Sequence, residues 1–241
     1  MKIGIITDIH SNIEALNAVL KKFEEEKVDR IICCGDMIGI GINPDEVVKT
    51  LMNKNDILTV VIGNHENYLL KGLPKTVHDD KRSMSKEEIN NHNWNHSKLS
   101  KKSIDYLKTI NTSETLEIEG KKIYIVHYPL NSNGSYKRII KNPSIQENKE
   151  LFSYVDADIY LYGHSHTTSI YNENNKWYIN TGSLGCPSGS NIAKSGILEI
   201  NKGKVNFKAI EVQYDVEKVI KEIKKIKFPF YEKILKIFYT A

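Results

Sequence analysis

The first third of the chain alternates buried strands with amphipathic helices, and each strand stops at a residue able to carry chemistry. Residues 2–7 form an apolar run, and Ile13, Leu16, Val19, Leu20 and Phe23 follow at helical spacing. The apolar pattern returns at residues 30–34 and 56–62, with an Asn43-Pro44 helix start between them. Ser11 and Glu14 have the spacing of a capping box at the first helix. A βαβαβ order demands a largely parallel sheet covered on both faces. In such sheets functional residues gather beyond the carboxyl ends of the strands. Asp8, Asp36 and Asn64 stand there.

Residues 67–110 break the pattern. They are polar, lack strand alternation and hold Trp94 between Asn-rich and Lys-rich stretches, which predicts a helical insertion. His78, His92 and His96 read as surface residues of this segment, with a cap facing the site as the alternative. Strand patterning resumes near residue 115 with hairpins at 115–127, 168–179 and 196–212 and a buried strand at 158–162. A helical tail follows from about 215 to 241. Its basic run from Lys221 to Lys236 is interleaved with apolar residues at helical spacing and reads as a solvated helix face. The expectation is a single 241-residue domain, with two mixed sheets packed face to face and helices outside.

Composition narrows the function. The net charge of +4 comes from Lys, and only Arg30, Arg82 and Arg138 are arginines. Specific nucleic-acid binding is not expected without clustered Arg, Lys and aromatics. No stretch is long and apolar enough to span a bilayer, and the short apolar run before Asp8 is no signal peptide. Cys33 and Cys34 fall on opposite faces of one strand as small buried hydrophobes, and Cys186 sits in a Gly-Cys-Pro turn. Three cysteines without a spacing framework fit a reducing compartment, so the expected location is the cytoplasm.

Five motifs carry the chemistry: Asp8-Ile9-His10, Gly35-Asp36, Gly63-Asn64-His65-Glu66, His127 and Gly163-His164-Ser165-His166. Singly they are weak, because a Gly-Asp after a strand is usually a turn and a terminal histidine usually has no role. Together they hold five of the eight histidines. They supply seven carboxylate, imidazole and amide donors, the mixture that two adjacent divalent cations need. Asp8 and His10, two apart at a strand end, fall on one face. Glu66 reads as structural, orienting a histidine or capping the next helix.

In order and spacing these motifs resemble the calcineurin-like metallophosphoesterase superfamily, in particular its compact bacterial and archaeal phosphodiesterase-like branch, from residue 1 to about 215. The resemblance implies a four-layer α/β/β/α sandwich. It implies that Asp8, His10 and His166 hold one metal, that Asn64, His127 and His164 hold the other, and that Asp36 bridges them. Cations about 3.5–4 Å apart would share a hydroxide that attacks the phosphorus in line, with His65 assisting the leaving oxygen. The expected substrate is a small phosphodiester or nucleotide, with phosphomonoesters secondary. Donors of oxygen and nitrogen without thiolate admit Mn, Fe, Zn, Co or Ni, manganese among them. The turn Asn180-Thr181-Gly182-Ser183 resembles the family's Asn-Pro-Gly-Ser, with Thr181 in place of Pro. Tyr128 stands where many members have a small residue. It either borders the substrate or packs in the core, and Arg138 is the guanidinium in closest reach.

Three rivals follow from the same resemblance. A dinucleoside polyphosphate hydrolase shares the compact fold. A phosphoprotein phosphatase would carry arginines where Ile62 and the Met37–Ile40 segment stand. A retromer-coat subunit has the fold but acts as a protein-binding scaffold, and here every ligand position and His65 are intact.

Overall fold

In the computed structural model, residues 1–77 and 82–239 are described. The opening alternation folds as a parallel core. β1 (Lys2–Ile6) pairs in parallel with β2 (Arg30–Cys33), and β2 with β3 (Leu58–Val60). The crossovers are α1 (Ile13–Glu25) and α2 (Pro44–Met52). Leu16, Val19 and Phe23 of α1 and Val47, Val48 and Leu51 of α2 are buried against the sheet. Each such side chain contributes about 1.5–3 kcal/mol.

The insertion supplies α3 (Asn64–Lys71), α4 (Lys86–Ser97) and α5 (Lys101–Leu107). Five strands then build a second sheet: β4 (Ser113–Ile118), β5 (Lys121–Val126), β6 (Ile159–Tyr162), β7 (Thr168–Glu173) and β8 (Lys176–Thr181). Their spatial order is β4-β5-β6-β8-β7, with β5, β6 and β8 parallel and the outer pairs antiparallel. The chain then returns to the first sheet. β9 (Ile192–Asn201) pairs antiparallel with β1, and β10 (Lys204–Gln213) with β9. The first sheet therefore reads β10-β9-β1-β2-β3.

Between the sheets lies a core of Ile3, Ile5, Ile32, Cys34, Ile123, Ile125, Leu161, Ile179 and Leu198. Cys33 faces the other way, into the core beneath the helices of the first sheet. The outer face of the second sheet carries Tyr124, Tyr160, Tyr162 and Tyr178, packed with Phe152 at the end of the helix above. α6 (Ile145–Leu151) packs there, with Leu151 in the same cluster. The layers are those expected, α/β/β/α.

Two local expectations change. The N-cap of α1 is Asn12, whose side chain accepts from the Ala15 N–H. Ser11 cannot serve because it sits at φ +55°, inside the turn that follows β1. α6 was not expected, although Ser144 and Glu147 form the capping box that announces it. The tail folds as α7 (Val216–Ile226), α8 (Tyr231–Ile234) and a π-helical turn at Leu235–Tyr239. Lys221, Lys224, Lys225, Lys233 and Lys236 are exposed, as the solvated-face reading requires.

Candidate metal centre

Asp8 and His10 are not strand residues. β1 ends at Ile6, and both lie in the turn beyond it. Asp8, His10, Asp36, His164 and His166 all have left-handed backbone, at φ +53°, +48°, +53°, +71° and +56°. Such a conformation costs an L-residue roughly 1–2 kcal/mol, and Asp and His tolerate it better than most. Five of the seven candidate ligands sit this way. Strained turns of this kind persist where the surroundings over-determine them, and they cluster at functional sites.

The turns converge from both sheets. The His164 N–H donates to the Asp8 carboxylate at 3.0 Å, and His10 N–H to the Asp36 carbonyl at 3.0 Å. On one side, His10 Nε2 lies 2.8 Å from His166 Nε2, and His166 Nε2 lies 3.3 Å from Asp8 Oδ1. On the other, His127 Nε2 lies 3.1 Å from Asn64 Oδ1 and 3.2 Å from His164 Nδ1. Asp36 Oδ2 stands between, 3.8 Å from His10 Nε2 and 3.2 Å from His127 Nε2. Asp8, His10, Asp36 and His127 are each at most 1% exposed.

The donor chemistry fits divalent cations. His127 Nδ1 is 2.8 Å from the Cys34 carbonyl, and His10 Nδ1 is 3.3 Å from that of Ile38. A carbonyl only accepts, so each Nδ1 carries the proton and each Nε2 offers a lone pair to the centre. Metal-ligating histidines are commonly held in this way. Lone pairs of imidazole, amide and carboxylate thus face one another across short distances. Burial works against ionising Asp36, yet His127 and His65 hold its carboxyl well below the usual range. Burial also opposes the charge on His127, and Asp36 still pulls it up to about 9. His164, buried beside His127, is pushed down to about 3. The carboxylates demand positive charge, and a bound cation would supply it where His127 otherwise holds a proton.

His65 borders this set. Its Nε2 is 4.0 Å from Asp36 Oδ2, its N–H donates to Asp36 Oδ1 at 2.9 Å, and its buried Nδ1 has no partner. A Cβ on Gly39 would lie 2.0 Å from that Nδ1, so the loop after Asp36 can press on the ring only as glycine. Glu66 has the structural role expected of it. Its carboxylate accepts from Gly63, Asp36 and Ile38 N–H groups at 2.7, 3.0 and 3.0 Å, capping α3 and fixing the Asp36 loop. Burial and the charge of Asp36 push Glu66 up to about 7.

The insertion meets the centre with residues read as surface. His92 is only 8% exposed, with its ring centroid 5.1 Å from that of His65, and its Nδ1 is buried without a partner. His96 is half-buried, 6.1 Å from His92 between ring centroids. α4 turns Asn91, His92 and Asn95 inward, so its buried face is polar and shows no apolar period. Asn95 accepts from Gly39 N–H at 2.9 Å and donates to the Gly41 carbonyl and Ser11 Oγ. His78 lies outside the described residues.

Other placements were not legible in the sequence. Tyr68 touches the rings of His65 and His92. Tyr136 stacks on His164 at 5.1 Å. Cys186, not among the expected ligands, lies within 4.8 Å of His10 and His166 nitrogens. Tyr128 packs rather than bordering an open pocket. It is fully buried, with its hydroxyl donating to the Arg138 carbonyl and accepting from Ile140 N–H. Arg138 itself is exposed on the loop after β5.

A family model described as "Calcineurin-like phosphoesterase superfamily domain" matches residues 1–203. An uncharacterized protein of Methanocaldococcus jannaschii is 28% identical, covering 94% of this chain and 93% of its own. A phosphodiesterase of the same organism is 24% identical, over 84% of this chain and 95% of its own. Among solved structures, a hypothetical protein of Pyrococcus horikoshii superposes with a TM-score of 0.83 at 20% identity, covering 99% and 98% of the two chains. Among the described residues no helix is long and apolar enough to cross a membrane.

Proposed function

Because the chain belongs to the calcineurin-like phosphoesterase superfamily, we propose that it is a two-metal phosphoesterase acting on small phosphodiesters. The observation that carries this reading is the aim of two imidazoles. His10 and His127 each give Nδ1–H to a backbone carbonyl and turn Nε2 toward the same Asp36 oxygen. Asp8, His10 and His166 would hold one cation and Asn64, His127 and His164 the other, with Asp36 shared. Two bound cations lower the pKa of water and offset charge on phosphate oxygens.

The chain's own residues do the rest. Asp36 keeps the two sides in register, held by Glu66 through its backbone N–H. His65 lies beyond the ligands with its Nε2 4.0 Å from Asp36 Oδ2, and its role in this reading is to give a hydrogen bond and then a proton to the leaving oxygen. His92 and Tyr68 wall the space next to it. The phosphodiesterase relative supports the diester assignment, and so does the lack of arginine clamps. Arg82 is committed to Glu88 at 2.6 Å, Arg30 opens β2 at the end remote from Asp36, and Arg138 points to solvent. A phosphomonoester dianion is commonly bound by such bidentate clamps. The test is kcat/KM for bis-p-nitrophenyl phosphate against p-nitrophenyl phosphate, with manganese, zinc and cobalt in turn. The diester is expected to be the better substrate. A tenfold monoester preference would overturn the assignment.

A further inference from the structure

The turn after β8 carries a sulfur atom to the metal centre. Its backbone is fastened along the Asp8 turn: Leu184 N–H donates to the Thr7 carbonyl at 3.1 Å and Gly185 N–H to the Asp8 carbonyl at 3.0 Å. Ser183 Oγ donates to the same Asp8 carbonyl at 2.8 Å and accepts from Cys186 N–H at 3.0 Å. The approach is so close that a Cβ at Gly185 would lie 1.7 Å from the Ile9 carbonyl oxygen. Asn12, the cap of α1, holds the Gly185 carbonyl from the other side at 3.0 Å. The next residue is delivered, with its backbone fully tied down, beside His10 and His166.

All three cysteines of the chain are buried, but their surroundings differ. Cys33 and Cys34 point into the two apolar cores. Cys186 is 4% exposed, and its Sγ lies with one nitrogen each of His10 and His166 in a group whose members are all within 4.8 Å of one another. Those are the two imidazoles whose Nε2 atoms meet at 2.8 Å, with Asp8 Oδ1 3.3 Å from His166. Among the described residues no sulfur joins the far side. There the donors of Asp36, Asn64, His127 and His164 are oxygen and nitrogen only.

We infer that Cys186 is a thiolate ligand of the cation shared by Asp8, His10 and His166, so that the two metal positions differ in kind. The inference rests on the two-metal reading above. The thiol gives its proton to solvent on coordination, as a metal-bound thiol does. A soft sulfur among imidazoles and a carboxylate selects zinc, iron or cobalt over manganese at that position, while the all-oxygen-and-nitrogen position keeps no such bias.

The experiment is a titration of the metal-stripped full chain with cobalt(II) alone, followed by absorption. A sulfur-to-cobalt charge-transfer band in the near ultraviolet is expected, saturating with one of the two bound ions. C186S should lose that band and keep the visible ligand-field bands of the other ion. Asn64→Ala, on the opposite side, should keep it. X-ray absorption of the zinc-loaded wild type needs no variant and should show a sulfur neighbour at about 2.3 Å. Ligand-field bands without charge transfer, or a shell of light atoms alone, would overturn the inference and leave the two-metal reading standing. Failure to take up cobalt at all would instead remove that reading, and the inference with it.

Discussion

Asp8, Asp36 and His164 are aimed by backbone, whereas His92 and Asn95 are aimed by a helix packed onto the same centre from outside. The first group sits in left-handed turns fixed by sheet hydrogen bonds and by the Glu66 carboxylate. The second hangs on α4, whose inward face is Asn91, His92 and Asn95. Each hydrogen bond of such a face is worth about 0.5–1.5 kcal/mol net, against about 1.5–3 for a buried apolar side chain. Trp94 adds apolar contact by stacking on Phe228 at 4.8 Å. The polar face of α4 is therefore expected to open at a lower free-energy cost than the sandwich does. Rigid turns suit ions that must be held in fixed geometry. A detachable wall suits substrate entry and product release.

The largest expected effect tests the rigid half. Asp36→Ala should remove hydrolysis and lower metal content from about two ions per chain, read by elemental analysis beside the diester assay. Full metal content and activity in that variant would show that Asp36 is not shared.

Next is His65, which the proposed reading sets beside the ligands without making it one. His65→Gln should retain metal and lose about 10²–10⁴-fold in kcat on alkyl esters. The loss should shrink for nitrophenyl esters, whose leaving group scarcely needs a proton. Equal losses on both would take His65 out of the acid role.

The third prediction concerns the detachable half. Burial, with His96 nearby, holds His92 down at about 4, below the usual histidine value of 6.5. Unfolded or undocked, it takes up a proton near pH 6.5; docked, only near 4. Its contribution is thus fully present above about pH 6.5 and is lost as pH falls through that window, by roughly 3 kcal/mol at the bottom. Hydrogen exchange of metal-free protein should show α4 deprotecting between pH 6.5 and 4 before the sheets do. His92→Gln should flatten that dependence. Simultaneous loss of protection in α4 and β1 would mean that the two regions are one cooperative unit.

The smallest effect is expected at Asn95. Asn95→Ala strips partners from Gly39 N–H and the Gly41 carbonyl, a cost of about 1–3 kcal/mol in stability. KM should rise with metal content unchanged. A drop in bound metal would place Asn95 among the groups that hold the rigid turns.

The parts of this contrast differed in legibility for physical reasons. The sandwich was readable because apolar residues repeat with the period of each element, and strand ends mark where chemistry collects. The first helix start was misplaced by one residue because Ser11, a good cap by composition, is spent on the turn beyond β1. β3 is shorter than its apolar run, Leu58–Val60 within residues 56–62. α4 was read as helix but not as buried, since a face of Asn and His gives no apolar signal. The nearness of Cys186 to His10 joins residues 176 positions apart, and only the path of the turn after β8 brings them together.

The strand order has a consequence for synthesis. β1 is made first yet lies in the middle of its sheet, between β2 and β9. Its second edge stays open until Ile192–Asn201 has emerged from the ribosome, with an apolar strand exposed meanwhile to unwanted pairing. Asp8 likewise precedes its partners His164, His166 and Ser183 by more than 150 positions. A nascent chain thus holds the first half of the candidate site before the second half is made. On the two-metal reading, the ions would bind only once β9 has closed the sheet and the early carboxylate has met its late histidines.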